Sequence, residues 1–183
     1  MQRAFSLFLV AMVAAGCGSD DGDDGDDATQ APPPAGLARF ESPRVGFTFD
    51  YPKGFTAEKH PREKVLARVA LEPGSRLNAI KVRRTARREL GPARYLDEFQ
   101  RDFERTVGTV EKRKERIGDL DTGVLEFKDS VEQGGETVDF KSTSYFFKGA
   151  GRTWQMECIA DAQHAAEIDA ACRAALGSVD FAP

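Results

Sequence analysis

Beyond residue 37 the chain alternates apolar and polar positions by two, then by the helical period, then by two again. Val45, Phe47, Phe49 and Tyr51 alternate with Gly46, Thr48 and Asp50, which predicts a half-buried strand stopped by Pro52. Val65, Ala67, Val69 and Leu71 predict a second strand closed by Pro73-Gly74, and Ile80 and Val82 belong to a third. Gly91-Pro92 opens a helix, with proline at a position where its missing N–H costs nothing. Leu96, Phe99, Phe103 and Val107 form one buried stripe on it, while Arg94, Asp97, Glu98, Arg101 and Asp102 supply the wet face. Strands resume near Thr109 and again over Val124–Val131. Gln133-Gly134-Gly135 reads as a hairpin turn, Val138–Lys148 as the next strand, Gly149–Arg152 as a turn and Thr153–Ala160 as the last strand. A final helix over Gln163–Gly177 buries Ile168, Cys172 and Leu176. Strands, helix, meander and helix in that order predict an α+β fold, one antiparallel β-sheet with a mid-chain helix and a C-terminal helix packed on it.

The first 36 residues have a different character. Met1-Gln2-Arg3 is a basic start, and Ala4–Ala15 is an apolar run interrupted only by Ser6. As a helix that run reaches about 18 Å, too short for a hydrocarbon core of about 30 Å. Residues 1–16 therefore read as a cleavable signal peptide. The small residues Ala14-Ala15-Gly16 before Cys17 resemble a lipobox, although Ala14 stands where that motif usually has Leu. The resemblance implies lipidation of Cys17 and an anchor in the cell membrane or outer membrane, on its extracytoplasmic face. Residues 17–36 follow as a lipidated cysteine with an acidic, proline-containing linker, and 37–183 as a single domain. A calcium loop counted from Asp20 or Asp21 needs Glu at its twelfth position and finds Ala31 or Pro32.

Charge refines this map. The formal net charge is −4, but six aspartates lie in the linker. Beyond the linker, residues 59–116 hold 17 basic and 9 acidic side chains, and residues 117–183 hold 5 and 12. Such segregation either marks an interaction face or lets the two segments pair with each other. Lys81, Arg83, Arg84, Arg87 and Arg88 crowd the third strand and the loop after it. With Ile80 and Val82 facing the core, Lys81 and Arg83 are expected to face water, and Arg87 and Arg88 to project from the loop. This edge is a possible anion-binding site, for lipid headgroups, an anionic wall polymer or an acidic protein. The alternative is an edge paired with Glu89 and the acidic C-terminal half.

Gly46-Phe47-Thr48-Phe49-Asp50-Tyr51-Pro52 resembles the aromatic early strand of the PsbP-like superfamily. The mid-chain helix, the meander with Tyr145-Phe146-Phe147 and the closing helix ending Leu176-Gly177-Ser178-Val179 fit the same superfamily, which includes DcrB-type and LpqN-type bacterial lipoproteins. The resemblance implies a PsbP-like fold and a scaffold for binding partners, with no catalytic motif to carry over.

Little in the chain points to chemistry. His60 and His164 lack ligand-spaced neighbours and read as surface residues, and no metal or cofactor is expected. There is no nucleophile elbow, phosphate loop or zinc-protease motif. Phe140, Tyr145, Phe146, Phe147 and Trp154 are able to stack a ligand, but alternation assigns most of them to the core. Of three cysteines, Cys17 goes to lipid. Cys158 shares a strand face with Trp154 and Met156, and Cys172 lies on the buried stripe of the following helix. The two are read as a disulfide, with two buried thiols as the alternative. The expected function is a non-catalytic binding or assembly module of the cell envelope, with an envelope protein or anionic polymer as partner and no nucleic acid. The alternatives are a carrier of a small apolar ligand and an unrecognised envelope enzyme; a solid core favours the module, an enclosed apolar cavity the carrier, and a deep cleft with convergent polar groups the enzyme.

Overall fold

A computed structural model describes residues 33–41, 45–58, 65–85 and 92–181. Every described residue belongs to one compact unit, Pro32–Pro183. Its elements in order are β1 (Leu37–Phe40), β2 (Phe47–Pro52), β3 (Thr56–Ala57), β4 (Val65–Ala70), β5 (Ala79–Arg84), α1 (Pro92–Val107), β6 (Val110–Ile117), β7 (Leu120–Gln133), β8 (Glu136–Gly149), β9 (Arg152–Asp161), α2 (Ala165–Gly177) and β10 (Asp180–Phe181). The fold is α+β, with antiparallel pairing throughout and one helix in mid-chain and one near the C-terminus.

The strands make two sheets where the alternation predicts one. Seven run in the order β3-β4-β5-β9-β8-β7-β6, and β1-β2-β10 form a separate small sheet. The aromatic strand β2 thus leaves the main sheet, because its partners are short segments near the two ends of the domain. Thr48 pairs with Asp180 and Phe47 with Phe181. The longest pairing is the β7–β8 hairpin, which runs from Gly123 opposite Phe146 to Gln133 opposite Glu136. Gly134 and Gly135 turn it with φ of 65° and 89°, values that L side chains rarely adopt.

The period of two gives the main sheet two apolar faces. Val69, Ile80, Val82, Val124, Tyr145, Phe147, Trp154 and Met156 point to one of them, and there α2 and the small sheet pack. Phe47 is the hub of this core. Its ring lies 5.0 Å from Trp154, 5.9 Å from Phe147 and 5.4 Å from Phe181, each edge-on. Phe181 reaches it because Gly149 has no side chain; a Cβ there would lie inside the Phe181 ring. Cys158 and Cys172 are disulfide-bonded in the same core, with Cα atoms 6.3 Å apart, and tie β9 to α2.

On the other face α1 covers β6, β7 and β8. Its buried residues are Tyr95 and Leu96, while Phe99, Phe103 and Val107 of the expected stripe are half-buried against Phe127 and Phe146. Tyr95 stacks on Phe146 at 6.4 Å, so the apolar stripe is wider than the heptad-like spacing implies. Gly123 sets how close the helix sits, since a Cβ there would strike both Leu96 Cδ1 and Cγ.

Candidate functional site

Beyond the reach of α1, the same sheet face changes from apolar to polar. Leu125, Ser144, Glu157, Lys81 and Arg68 stand in one row across β7, β8, β9, β5 and β4. Lys81 does not face open water, as the alternation predicted. Its side chain is 16% exposed, with Nζ 4.0 Å from Oε2 of Glu157, itself 14% exposed. Arg83 is 31% exposed and reaches the same oxygen at 3.4 Å. Ser142 Oγ donates to the other carboxylate oxygen at 3.3 Å. Arg68 is tied to Glu58 and to the Ser75 carbonyl. Burial pushes the Lys81 amine below its ordinary value against the pull of Glu157. The acidic C-terminal half therefore neutralises these two cations, the second of the alternatives left open by the charge pattern. Arg84, at the strand end, is exposed; Arg87, Arg88, Glu89, His60 and Cys17 lie outside the described residues.

The aromatic candidates divide in the same way. Tyr145, Phe146, Phe147 and Trp154 are interior residues of the two cores. Tyr145 is fully buried and its hydroxyl has no partner among the described residues. Burial, with Asp169 and Glu115 adding, pushes its pKa up to about 12. Only Phe140 is half-buried and borders a hollow.

That hollow is an open groove of about 650 Å³ between the β7–β8 hairpin and the β9–α2 connection. Ala160, Ala162, Ala165 and Phe140 line its apolar part. Lys128, Asp129, Ser130, Asp139, Lys141 and Asp161 supply charge and hydroxyl groups of both signs. Lys128 and Lys141 are directly opposed on neighbouring strands, a pairing that is unfavourable in isolation. Lys141 leans towards Glu126 at 3.9 Å, and Lys128 is exposed. No local motif announces this groove, because its walls come from segments up to 37 residues apart.

His164 belongs to the groove's border in a structural role. Asp161 Oδ1 accepts from the backbone N–H groups of Gln163 and His164 at 3.0 and 2.9 Å, and so fixes the turn that leads into α2. The His164 ring bridges Asp161 Oδ1 at 2.9 Å and Asn78 Nδ2 at 3.2 Å. Although burial works against it, the hydrogen bond that Asn78 Nδ2 donates to Asp161 Oδ2 at 2.8 Å, together with those from the His164 backbone and ring, holds the Asp161 carboxyl below its ordinary range. Among the described residues no group of three His, Cys, Asp or Glu side chains is placed to hold a metal ion. Among them also, no helix is long and apolar enough to cross a membrane.

A seven-stranded antiparallel sheet with one helix on each face, closed by a small terminal sheet, defines a PsbP-like fold. No protein-family model and no curated sequence matches the chain. Among solved structures it is similar to cyanobacterial PsbP (CyanoP) of Synechocystis sp. PCC 6803, with a TM-score of 0.50 and 14% identity over 82% of this chain and 95% of that one. It is similar to LpqN of Mycobacterium tuberculosis, a protein involved in cell envelope biogenesis, with a TM-score of 0.50 and 10% identity over 80% and 92% of the two chains. A Bacteroides thetaiotaomicron protein matches with a TM-score of 0.51 and 11% identity over 79% of this chain, which spans about half (48%) of that longer protein.

Proposed function

We propose that this protein is a lipid-anchored, extracytoplasmic lipoprotein whose PsbP-like domain is a non-catalytic binding or assembly module of the cell envelope. The anchor is Cys17, on the face of the cell membrane or outer membrane that looks away from the cytoplasm. The observation that supports the reading best is the form of the groove beside Phe140. It is an open groove with an apolar part and a border of both charges, a surface suited to a polypeptide partner. The fold shared with LpqN, involved in cell envelope biogenesis, favours the same compartment. The carrier reading has less support, since the aromatic residues interlock within the cores.

Two changes to the whole chain test this. Cys17→Ser moves the protein from the membrane fraction to the soluble one. Lys128→Glu combined with Ala162→Arg fills and recharges the groove, and it abolishes cross-linking to the envelope partner captured by the unaltered protein. A partner captured equally by both proteins, with the fold intact, rejects the groove as the contact. Membrane retention of Cys17→Ser rejects the anchor.

A further inference from the structure

The seven-stranded sheet has one blunted edge and one open edge. At the blunted edge β3 has two residues, and β4 beside it carries a register shift between Val65 and Ala67. At the other edge β6 has eight residues, no proline, and an unbroken register from Val110 opposite Phe127 to Ile117 opposite Leu120. Among the described residues nothing pairs with its outer side. A regular edge of this length presents a row of outward N–H and C=O groups, which proteins usually interrupt.

One face of β6 carries charged side chains of both signs, the other only cations. On the α2 face, Arg113 and Glu115 are engaged within the fold: Arg113 lies 3.3 Å from Glu126, and Glu115 lies 3.5 Å from Arg173. On the α1 face stand Lys112, Lys114 and Arg116, all exposed, with no acid among them. Lys112 lies 2.7 Å from Asp97, and that hydrogen bond, with the charges of Lys112, Arg101 and Lys114, holds the Asp97 carboxyl below its ordinary range. Arg116 lies 3.8 Å from Asp119 and opposite Asp121, so Asp97, Asp119 and Asp121 offset part of the positive charge of this row. A hollow of about 330 Å³ between Ala93, Leu96 and Asp97 on α1 and Lys112 and Lys114 on β6 opens beside the strand.

We propose that the outer edge of β6 receives an extended acidic segment of a partner protein as an eighth strand, with Lys112, Lys114 and Arg116 meeting Asp or Glu at alternate positions. The inference rests on reading the domain as a binding module, and it names the partner's chemistry. A second copy of this chain is the wrong occupant, because β6 against β6 sets Lys and Arg beside Lys and Arg. An acidic strand gains the backbone ladder and the charge match together. A basic strand gains only the ladder, so the single sign of the row selects between them.

The test uses the whole chain and an extended peptide as long as β6 that alternates Glu with Val. Binding is followed by fluorescence anisotropy, and slowed amide exchange locates it on β6. Lys112→Gln, Lys114→Gln and Arg116→Gln together reduce affinity about tenfold or more, with melting temperature unchanged. A peptide of the same charge with its central amides N-methylated cannot form the ladder and also loses binding. Equal binding of the methylated peptide, of a Lys–Val peptide, or of the triple variant overturns the proposal, as does no binding of the Glu–Val peptide. If the Glu–Val peptide does not bind while the groove variant still loses its envelope partner, the edge proposal fails and the module reading stands.

Discussion

Lys81 and Glu157 stand directly opposite each other on β5 and β9, two largely buried side chains of opposite charge with Nζ and Oε2 4.0 Å apart. Arg83 and Ser142 reach the same carboxylate, so Glu157 is the centre of a small ionic cluster on the sheet. Glu157→Gln leaves Lys81 without its counter-charge in a poorly solvated place. The expected loss of stability is about 1–3 kcal/mol, read from urea denaturation. A variant as stable as the parent removes the cluster from the account of the fold.

The same pair sets a pH dependence. Burial lowers the Lys81 amine from its ordinary value of 10.5. The unfolded chain then binds more protons at this position, in a window below 10.5, and stability from this group rises with pH through that window. Measured against Lys81→Met, the parent's melting temperature gains as pH climbs towards 10.5. A gap that is constant or closes with rising pH contradicts the burial of the charged amine.

Tyr145 acts in the opposite sense. Its folded pKa of about 12 lies above the ordinary 10.0, so the folded state keeps a proton that the unfolded chain gives up. The stability this contributes is full below pH 10 and is lost as pH rises towards 12. Tyr145→Phe removes that alkaline loss. It also removes a buried hydroxyl with no partner among the described residues, so the variant is as stable as the parent or more stable by up to about 1 kcal/mol at neutral pH. Ultraviolet titration detects one tyrosine that ionises only near pH 12.

Gly123 and Leu96 are coupled by space. Gly123→Ala destabilises by about 1–3 kcal/mol, because the new methyl displaces Leu96 and lifts α1 from β7. In the Leu96→Ala background the same change costs less. A double-mutant cycle in which the two effects simply add shows that α1 does not sit where Leu96 meets Gly123.

The disulfide closes a short loop, its cysteines lying 14 positions apart in the sequence. Replacing both Cys158 and Cys172 by Ala lowers stability by roughly 3 kcal/mol. Alkylation of the denatured, unreduced protein modifies neither residue. Modification of both shows that the thiols are free.

The legible parts of this fold are those whose neighbours lie close in the chain. β4–β9 and both helices follow from apolar spacing, since each hairpin or stripe is a local event. The small sheet was hidden because β10 has two residues and pairs with a strand more than 120 residues earlier, where no periodicity links Phe181 to Phe47. The alternation of β5 correctly separates Ile80 and Val82 from Lys81 and Arg83, but it carries no information on Glu157, four strands later in the chain. The cysteine pairing was legible because one partner lies on the last strand of the sheet and the other on the helix that follows it. The groove was not, since alanines and mixed charges on two connections resemble any solvated surface.

The small sheet also decides how the domain meets mechanical load. The described fold begins at Leu37 and ends at Phe181, and both ends flank the same central strand, β2. A pull on the N-terminal side of β1 directed away from β2 loads first the Gly36–Lys53 hydrogen bond and then the rungs in turn from the Leu37–Pro52 pair. The peel stalls at the third rung, where Arg39 grips both oxygens of Asp50 at 2.8 and 3.2 Å. The main sheet, its helices and the β6 edge lie behind that stop, so a force on the N-terminal strand can be absorbed by two rungs before it reaches them.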